Sequence, residues 1–229
     1  MNDTTYHNDT TRVSKSGLDL IRKSPAQFYH HYYVHRADDT DAMRIGRNIH
    51  TRIFEPDIYW SSVHNDIKHA EQVQLNAMAK SVRNHPAAKY LLQSGVAESV
   101  HLWTDLITQV DCKLKADWLT SDGSIVVDLK SCNDCSPMSF KRSAMRYRYD
   151  VQAAFYLDGL SHTNARDVFV FIAVEKTYPY KVAVYEAPDS MISSGREKYL
   201  ADLHLLAECR RNNEWPAYDN ARIQLLPWA

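Results

Sequence analysis

Apolar positions recur with a helical period over the first third of the chain and then shift to a strand period. Residues 1–12, "MNDTTYHNDTTR", are polar and read as a flexible arm. "SKSGLDLIRKSP" opens a short helix with Ser14 or Ser16 as cap. Ser24-Pro25 starts another, with a capping hydroxyl before a proline at the first helical position. In "DAMRIGRNIHTRIFEP", Met43, Ile49, Ile53 and Phe54 keep helical spacing, and Pro56 ends the run. A polar-faced helix is expected from about Ile67 to Arg83, and His85-Pro86 restarts a short one.

Three strand-like runs follow: "ESVHLWTD", "CKLKADWLT" and "SIVVDLKS". Ser136-Pro137 caps a new helical stretch, and a second helix is expected from about Asp150 to Leu160. "DVFVFIAVE" is apolar on both faces, as a central strand must be, and "KVAVYEA" reads as the next strand. Residues 189–211 form a long amphipathic helix, and the tail "NEWPAYDNARIQLLPWA" is irregular. No internal repeat or linker interrupts this order. It predicts an α/β fold over residues 13–229, with a central mixed sheet flanked by helices.

One strand carries an oddity. In "SIVVDLKS", alternation puts Val126, Asp128 and Lys130 on one face and Ile125, Val127 and Leu129 on the other. Asp122-Gly123 is a two-residue hairpin signal, since a type I′ turn needs positive φ at both central residues. Centred there, the hairpin pairs Ser121 with Ser124 and Asp117 with Asp128. Directly opposed residues have Cβ atoms about 4.5–5.5 Å apart, where like charges destabilise a sheet. A divalent cation resolves that conflict, because hard oxygen ligands at this separation suit Mg²⁺, with Mn²⁺ as the alternative. A lysine alongside can orient or help deprotonate a water. Together these are the equipment for metal-assisted phosphodiester hydrolysis. An Asp and a Lys at an exposed strand end is the ordinary alternative for the D-x-K pattern alone.

Composition narrows the class. With 229 residues, 45% hydrophobic and 24% charged, the chain has an ordinary globular make-up. A net charge of -1 excludes a protein that coats nucleic acid, though not a local basic patch. No run of 18 apolar residues occurs and the N-terminus lacks an apolar signal core, so a cytoplasmic protein without membrane contact is expected. The four cysteines, Cys112, Cys132, Cys135 and Cys209, form no disulfide framework. Cys132-x-x-Cys135 lacks a second pair at metal-site spacing and reads as free thiols.

The carboxylate pair and its surroundings resemble the PD-(D/E)xK nuclease superfamily, and within it the RecE (exonuclease VIII) type of phage recombination exonuclease. Six stretches agree in order: "VSKSGLDLIRKSPAQFYHHYY"; "IGRNIHTRIFEP" with Gly46 and His50; "AESVHLWTD" with Glu98; "CKLKADW" with Asp117; "VVDLKS" with Asp128 and Lys130; and "YDVQAAFYLDGL" with Gln152 and Tyr156. Ala116 stands where the superfamily's name has proline. The resemblance implies a restriction-endonuclease-like core and a role for each residue. Asp117, Asp128, His50 and the carbonyl of Leu129 would hold the metal. Glu98 would hold the metal region or a second metal, Lys130 would position the attacking water, and Gln152 and Tyr156 would line the site.

The family resemblance also implies a Mg²⁺-dependent 5′→3′ exonuclease that degrades linear double-stranded DNA from its ends. It would leave 3′ single strands for a strand-annealing protein in a bacterial host. A homo-oligomeric ring is expected, a tetramer rather than a trimer. "SFKRSAMRYRYD" interleaves Lys141, Arg142, Arg146 and Arg148 with tyrosines, which suits phosphate contact and base stacking. Ser16 and Arg22 resemble the neighbourhood where related exonucleases bind a terminal 5′ phosphate. A RecB-like or CRISPR-associated nuclease, an endonuclease on the same core, and a non-catalytic DNA-binding module are the competing readings.

Overall fold

The computed structural model describes residues 3–35, 40–161 and 168–218. The outer residues of the expected arm, Met1 and Asn2, and the tail beyond Tyr218 lie outside them. The helices before the sheet are α1 (Asp3–Asn8), α2 (Lys15–Lys23), α3 (Pro25–Tyr29), α4 (Asp41–Phe54), α5 (Pro56–Ile58), α6 (His69–Asn84) and α7 (Pro86–Leu91). Strands β1 (Gly95–Thr104), β2 (Asp111–Thr120) and β3 (Ile125–Cys132) come next. Helices α8 (Pro137–Arg146) and α9 (Tyr149–Ser161), strands β4 (Val168–Glu175) and β5 (Val182–Glu186), and helix α10 (Asp189–Asn212) complete the order.

The caps behave as their residue types dictate. The Ser24 hydroxyl accepts from Gln27 N–H at the start of α3, and the Thr40 hydroxyl accepts from Met43 N–H at the start of α4. The arm expected at residues 1–12 contains α1, whose Tyr6 is buried. Its carbonyls explain the difference. The ammonium of buried Lys113 on β2 takes up the carbonyls of Tyr6 and Asp9 and lies 4.7 Å from the Tyr6 ring centroid.

The five strands lie in the order β1-β2-β3-β4-β5. The β3–β4 pair is parallel and the other pairs are antiparallel. A parallel pair needs a crossover, which α8 and α9 provide. Each face of the sheet carries its own core. Leu114, Ala116, Val126, Phe169 and Phe171 pack beneath α2, α3, α9 and α10. Val127, Leu129, Val170 and Ile172 pack against Ile49 and Ile53 of α4, Leu75 and Met78 of α6, and Leu91 of α7. The alternation of Val126 against Val127 and Phe169 against Val170 is why both central strands read as continuous apolar runs.

The β2–β3 turn differs from the expected type. Of its two central residues, only Gly123 has positive φ, at 73°. The Asp122 carboxylate instead accepts from the Ser124 backbone and from the Thr120 hydroxyl. The loop therefore opens one step earlier, yet Trp118 still faces Val127 and Leu119 faces Val126. That register puts Asp117 and Asp128 next in line.

Candidate active site

The sheet is broken along one row, and carboxylates occupy the break. The β1–β2 ladder pairs Ala97 with Trp118 and Ser99 with Ala116, passing over Glu98 and Asp117 between them. Residues two apart on a strand share a face. Here Ala116 packs in one core and Trp118 in the other, so the pleat shifts phase at Asp117. Glu98 takes up the same shift on β1 with φ 51°, a left-handed conformation that is uncommon for a side-chain-bearing residue. On β3 the pairing with β2 ends at Val127, one residue short of Asp128. Asp117 and Asp128 thus keep facing positions without forming the expected backbone pair. The Asp117 carboxylate accepts from the Leu129 N–H at 2.8 Å, replacing a backbone acceptor.

His50 arrives from α4, whose Ile49, Ile53 and Phe54 are buried. Its Nδ1 lies 3.3 Å from Asp117 Oδ2. Ligand atoms of His50, Glu98 and Asp117 all fall within 4.8 Å of one another. Two carboxylates and an imidazole at that spacing fit a divalent cation, the oxygens suiting Mg²⁺ and the mixed set also suiting Mn²⁺. Glu98 also pairs with Lys115, two residues before Asp117 on β2. Spacing alone could have marked Lys115, because alternation puts it on the face expected for Asp117.

Asp128 is turned the other way. It is 2% exposed, and Lys130 Nζ stands 2.7 Å from its Oδ2. Gln152 Nε2 donates to Asp128 Oδ1, while Lys130 Nζ donates to Gln152 Oε1 at 2.8 Å. Metal-ligand geometry therefore gathers His50, Glu98 and Asp117, whereas Asp128 closes a triangle with Lys130 and Gln152. Tyr156, one turn after Gln152, packs edge-on to Phe169.

Burial and pairing set the charges. Burial raises the Asp128 carboxyl to about 6, with Asp117 adding to the rise and Lys130 opposing it. Burial also pushes Asp117 up, but His50, Lys130 and the Leu129 N–H outweigh it and hold the carboxyl below its ordinary value. Burial and the Asp117 charge raise Glu98. Burial would lower His50 and Lys130, yet the neighbouring carboxylates raise both. Lys130 accordingly keeps its proton, which makes it a donor rather than a base.

The expected DNA contacts divide. Lys141, Arg142 and Arg146 are exposed on α8. Ser16 is exposed near the start of α2, 2.9 Å from the Ser14 hydroxyl, and Arg22 is exposed in the last turn of that helix. Arg148 differs from these in being held by neighbouring helices. Its guanidinium donates to the Leu18 carbonyl and to Asp19, and pairs with buried Asp202 on α10. The four cysteines are free thiols. Burial pushes Cys132 to about 12 and Cys135 to about 11, so neither is a thiolate near neutral pH.

Comparison with known proteins agrees with this architecture. A solved structure of a "putative exonuclease" from Eubacterium rectale superposes with a TM-score of 0.73 at 16% identity, covering 100% of this chain and 96% of that one. A looser likeness, TM-score 0.49 at 8% identity, is to a phage-related exonuclease from Haemophilus somnus, covering 87% of this chain and 83% of that one. No curated protein matches the sequence. A family model described as a PDDEXK-like domain of unknown function (DUF3799) matches residues 14–224. The mixed sheet between two helical layers is thus that of a PDDEXK-like domain, and the chain belongs to this family.

Proposed function

We propose that this protein is a RecE-type DNA exonuclease that uses Mg²⁺, or Mn²⁺ in its place, to degrade linear duplexes 5′→3′. One observation carries the proposal: Glu98, Asp117 and Asp128 occupy facing positions on three adjacent strands, flanked by His50 and Lys130. When bound, a divalent cation supplies charge neutralisation at the phosphate and activation of a water. His50, Glu98 and Asp117 would hold it, and Asp128 and the Leu129 carbonyl would be the further ligands implied by the RecE-type resemblance. Lys130, kept protonated, donates to the attacking water or to a phosphate oxygen. Gln152 bridges Lys130 and Asp128, so both are oriented from one helix.

The exposed basic face of α8 follows directly after the D-x-K strand, which suits a phosphate backbone led to the site. The 3′ single strands left this way are a substrate for a strand-annealing protein. A homo-oligomeric ring, a tetramer by preference, would keep the duplex engaged between cuts. The test is a linear duplex labelled at its 5′ or its 3′ end, with Mg²⁺, beside a covalently closed circle. Early release of 5′ label with the circle intact is expected. Early release of 3′ label overturns the polarity, and a nicked circle overturns the exonuclease reading.

A further inference from the structure

Lys130 has a third anchor besides Asp128 and Gln152. Its Nζ lies 4.7 Å from the centroid of the Tyr149 ring. Tyr149 begins α9 three residues before Gln152, so the two side chains approach Lys130 from one helix face. The ring is itself held. It stacks on Phe171 of β4 at 5.6 Å and on Tyr147 at 6.0 Å, both with interplanar angles of 26°.

The backbone that presents this ring is pinned from neighbouring helices. Lys15 Nζ of α2 donates to the Tyr147 carbonyl at 2.7 Å. Arg148 sits in the left-handed region, φ 53°, with its guanidinium tied to α2 and α10. Asp150 pairs with Lys198 of α10. Gly195 of α10 lies so close to the Asp150 carbonyl that a Cβ there would stand 2.0 Å from the oxygen. A strained residue persists only where its surroundings over-determine it, and such strain clusters at working sites. Here the strained Arg148 is what places Tyr149.

We propose that Tyr149 is a positioning residue: its ring face fixes the Lys130 ammonium over the Asp128–Gln152 pair, aimed at the reacting phosphate. A lysine head on a four-carbon stem is mobile, and two hydrogen bonds leave it free to swing toward any arriving anion. A second carboxylate beside Lys130 would hold it, but would also compete as a metal ligand. An aromatic face attracts the cation through its quadrupole without adding a donor for the metal. The contact is made by the ring, so phenylalanine suffices and an aliphatic side chain does not.

The proposal rests on the reading of the site as a phosphodiesterase, and two measurements keep the two apart. In metal-free protein, the Lys130 Hε resonances, assigned by their loss in Lys130→Arg, should be shifted upfield by the ring current. The shift should persist in Tyr149→Phe and vanish in Tyr149→Leu and Tyr149→Met. On linear duplex DNA, kcat of the Leu and Met variants should fall roughly ten-fold with KM unchanged, while the Phe variant keeps wild-type kcat. An unshifted Lys130 in wild type overturns the proposal even if no aliphatic variant folds. Wild-type kcat in either aliphatic variant overturns it too. A wild-type protein that cuts no DNA overturns the phosphodiesterase reading, while the ring-current shift still decides the placement of Lys130.

Discussion

Replacing Asp128 by asparagine should stabilise the metal-free protein at neutral pH relative to its effect in acid. The folded-state carboxyl titrates at about 6 against an ordinary value of 3.8, with burial as the main cause. Between those values the folded chain holds a proton that the unfolded chain has released. Stability from this group is therefore fully present below about pH 4 and lost as pH rises through about 6. About two pKa units at 1.36 kcal/mol each make the loss about 3 kcal/mol. The amide introduced by Asp128→Asn keeps an oxygen for Gln152 Nε2 and cannot ionise, so the variant escapes the loss. The new amide nitrogen facing Lys130 adds a constant offset of about 1–3 kcal/mol, which does not vary with pH. Urea unfolding with chelator present, from pH 4 to pH 8, separates the two. The gap between mutant and wild type should change in the mutant's favour by about 3 kcal/mol, roughly 1 M in midpoint. Repulsion between facing strand carboxylates alone would give about 0.2–1 kcal/mol. A gap that stays constant across this range refutes the burial of an ionisable Asp128.

Four further outcomes are expected. Lys130→Ala should lower kcat on duplex DNA by about 10²–10³-fold while metal-induced stabilisation persists, measured by single-turnover hydrolysis and melting. Mn²⁺ at about a hundred times its Kd should add about 2.7 kcal/mol, a rise of roughly 5–10 °C in Tm, which Asp117→Asn abolishes in a melting series. Arg148→Met should cost about 3–5 kcal/mol in urea unfolding by stranding buried Asp202, whereas Arg142→Ala should leave stability within about 0.5 kcal/mol and reduce the salt dependence of DNA binding. Light scattering at micromolar concentration should give the mass of a closed oligomer, and a monomer that still degrades long duplexes processively would count against the ring.

Apart from α1, the elements and the β2–β3 register were legible because their causes are local. Ser24-Pro25, Ser136-Pro137 and the apolar runs of β3 and β4 act through neighbouring residues, and Asp122-Gly123 sets the hairpin within a few positions. The phase shift at Glu98 and Asp117 was not legible. It arises where an Asp117 oxygen takes the Leu129 N–H and where helix α4 delivers His50, contacts between residues far apart in sequence. The spacing of Asp128 carries no sign that Lys130 of its own strand and Gln152 of α9 also engage it. Arg148 looked like its exposed neighbours because nothing local reveals Asp19 and Asp202 closing on it. The order Tyr149, Gln152, Tyr156 does carry a signal: three side chains at i, i+3 and i+7 on one helix face.

The central claim, that the acidic row is a metal-dependent phosphodiesterase, meets its most direct test in one rate. Nucleotide release from a linear duplex is followed for wild type with Mg²⁺, for wild type with chelator, and for Asp117→Asn with Mg²⁺. The account predicts release in the first sample and a loss of at least about 10³-fold in the other two. Release that survives the chelator, or that survives Asp117→Asn, would contradict it.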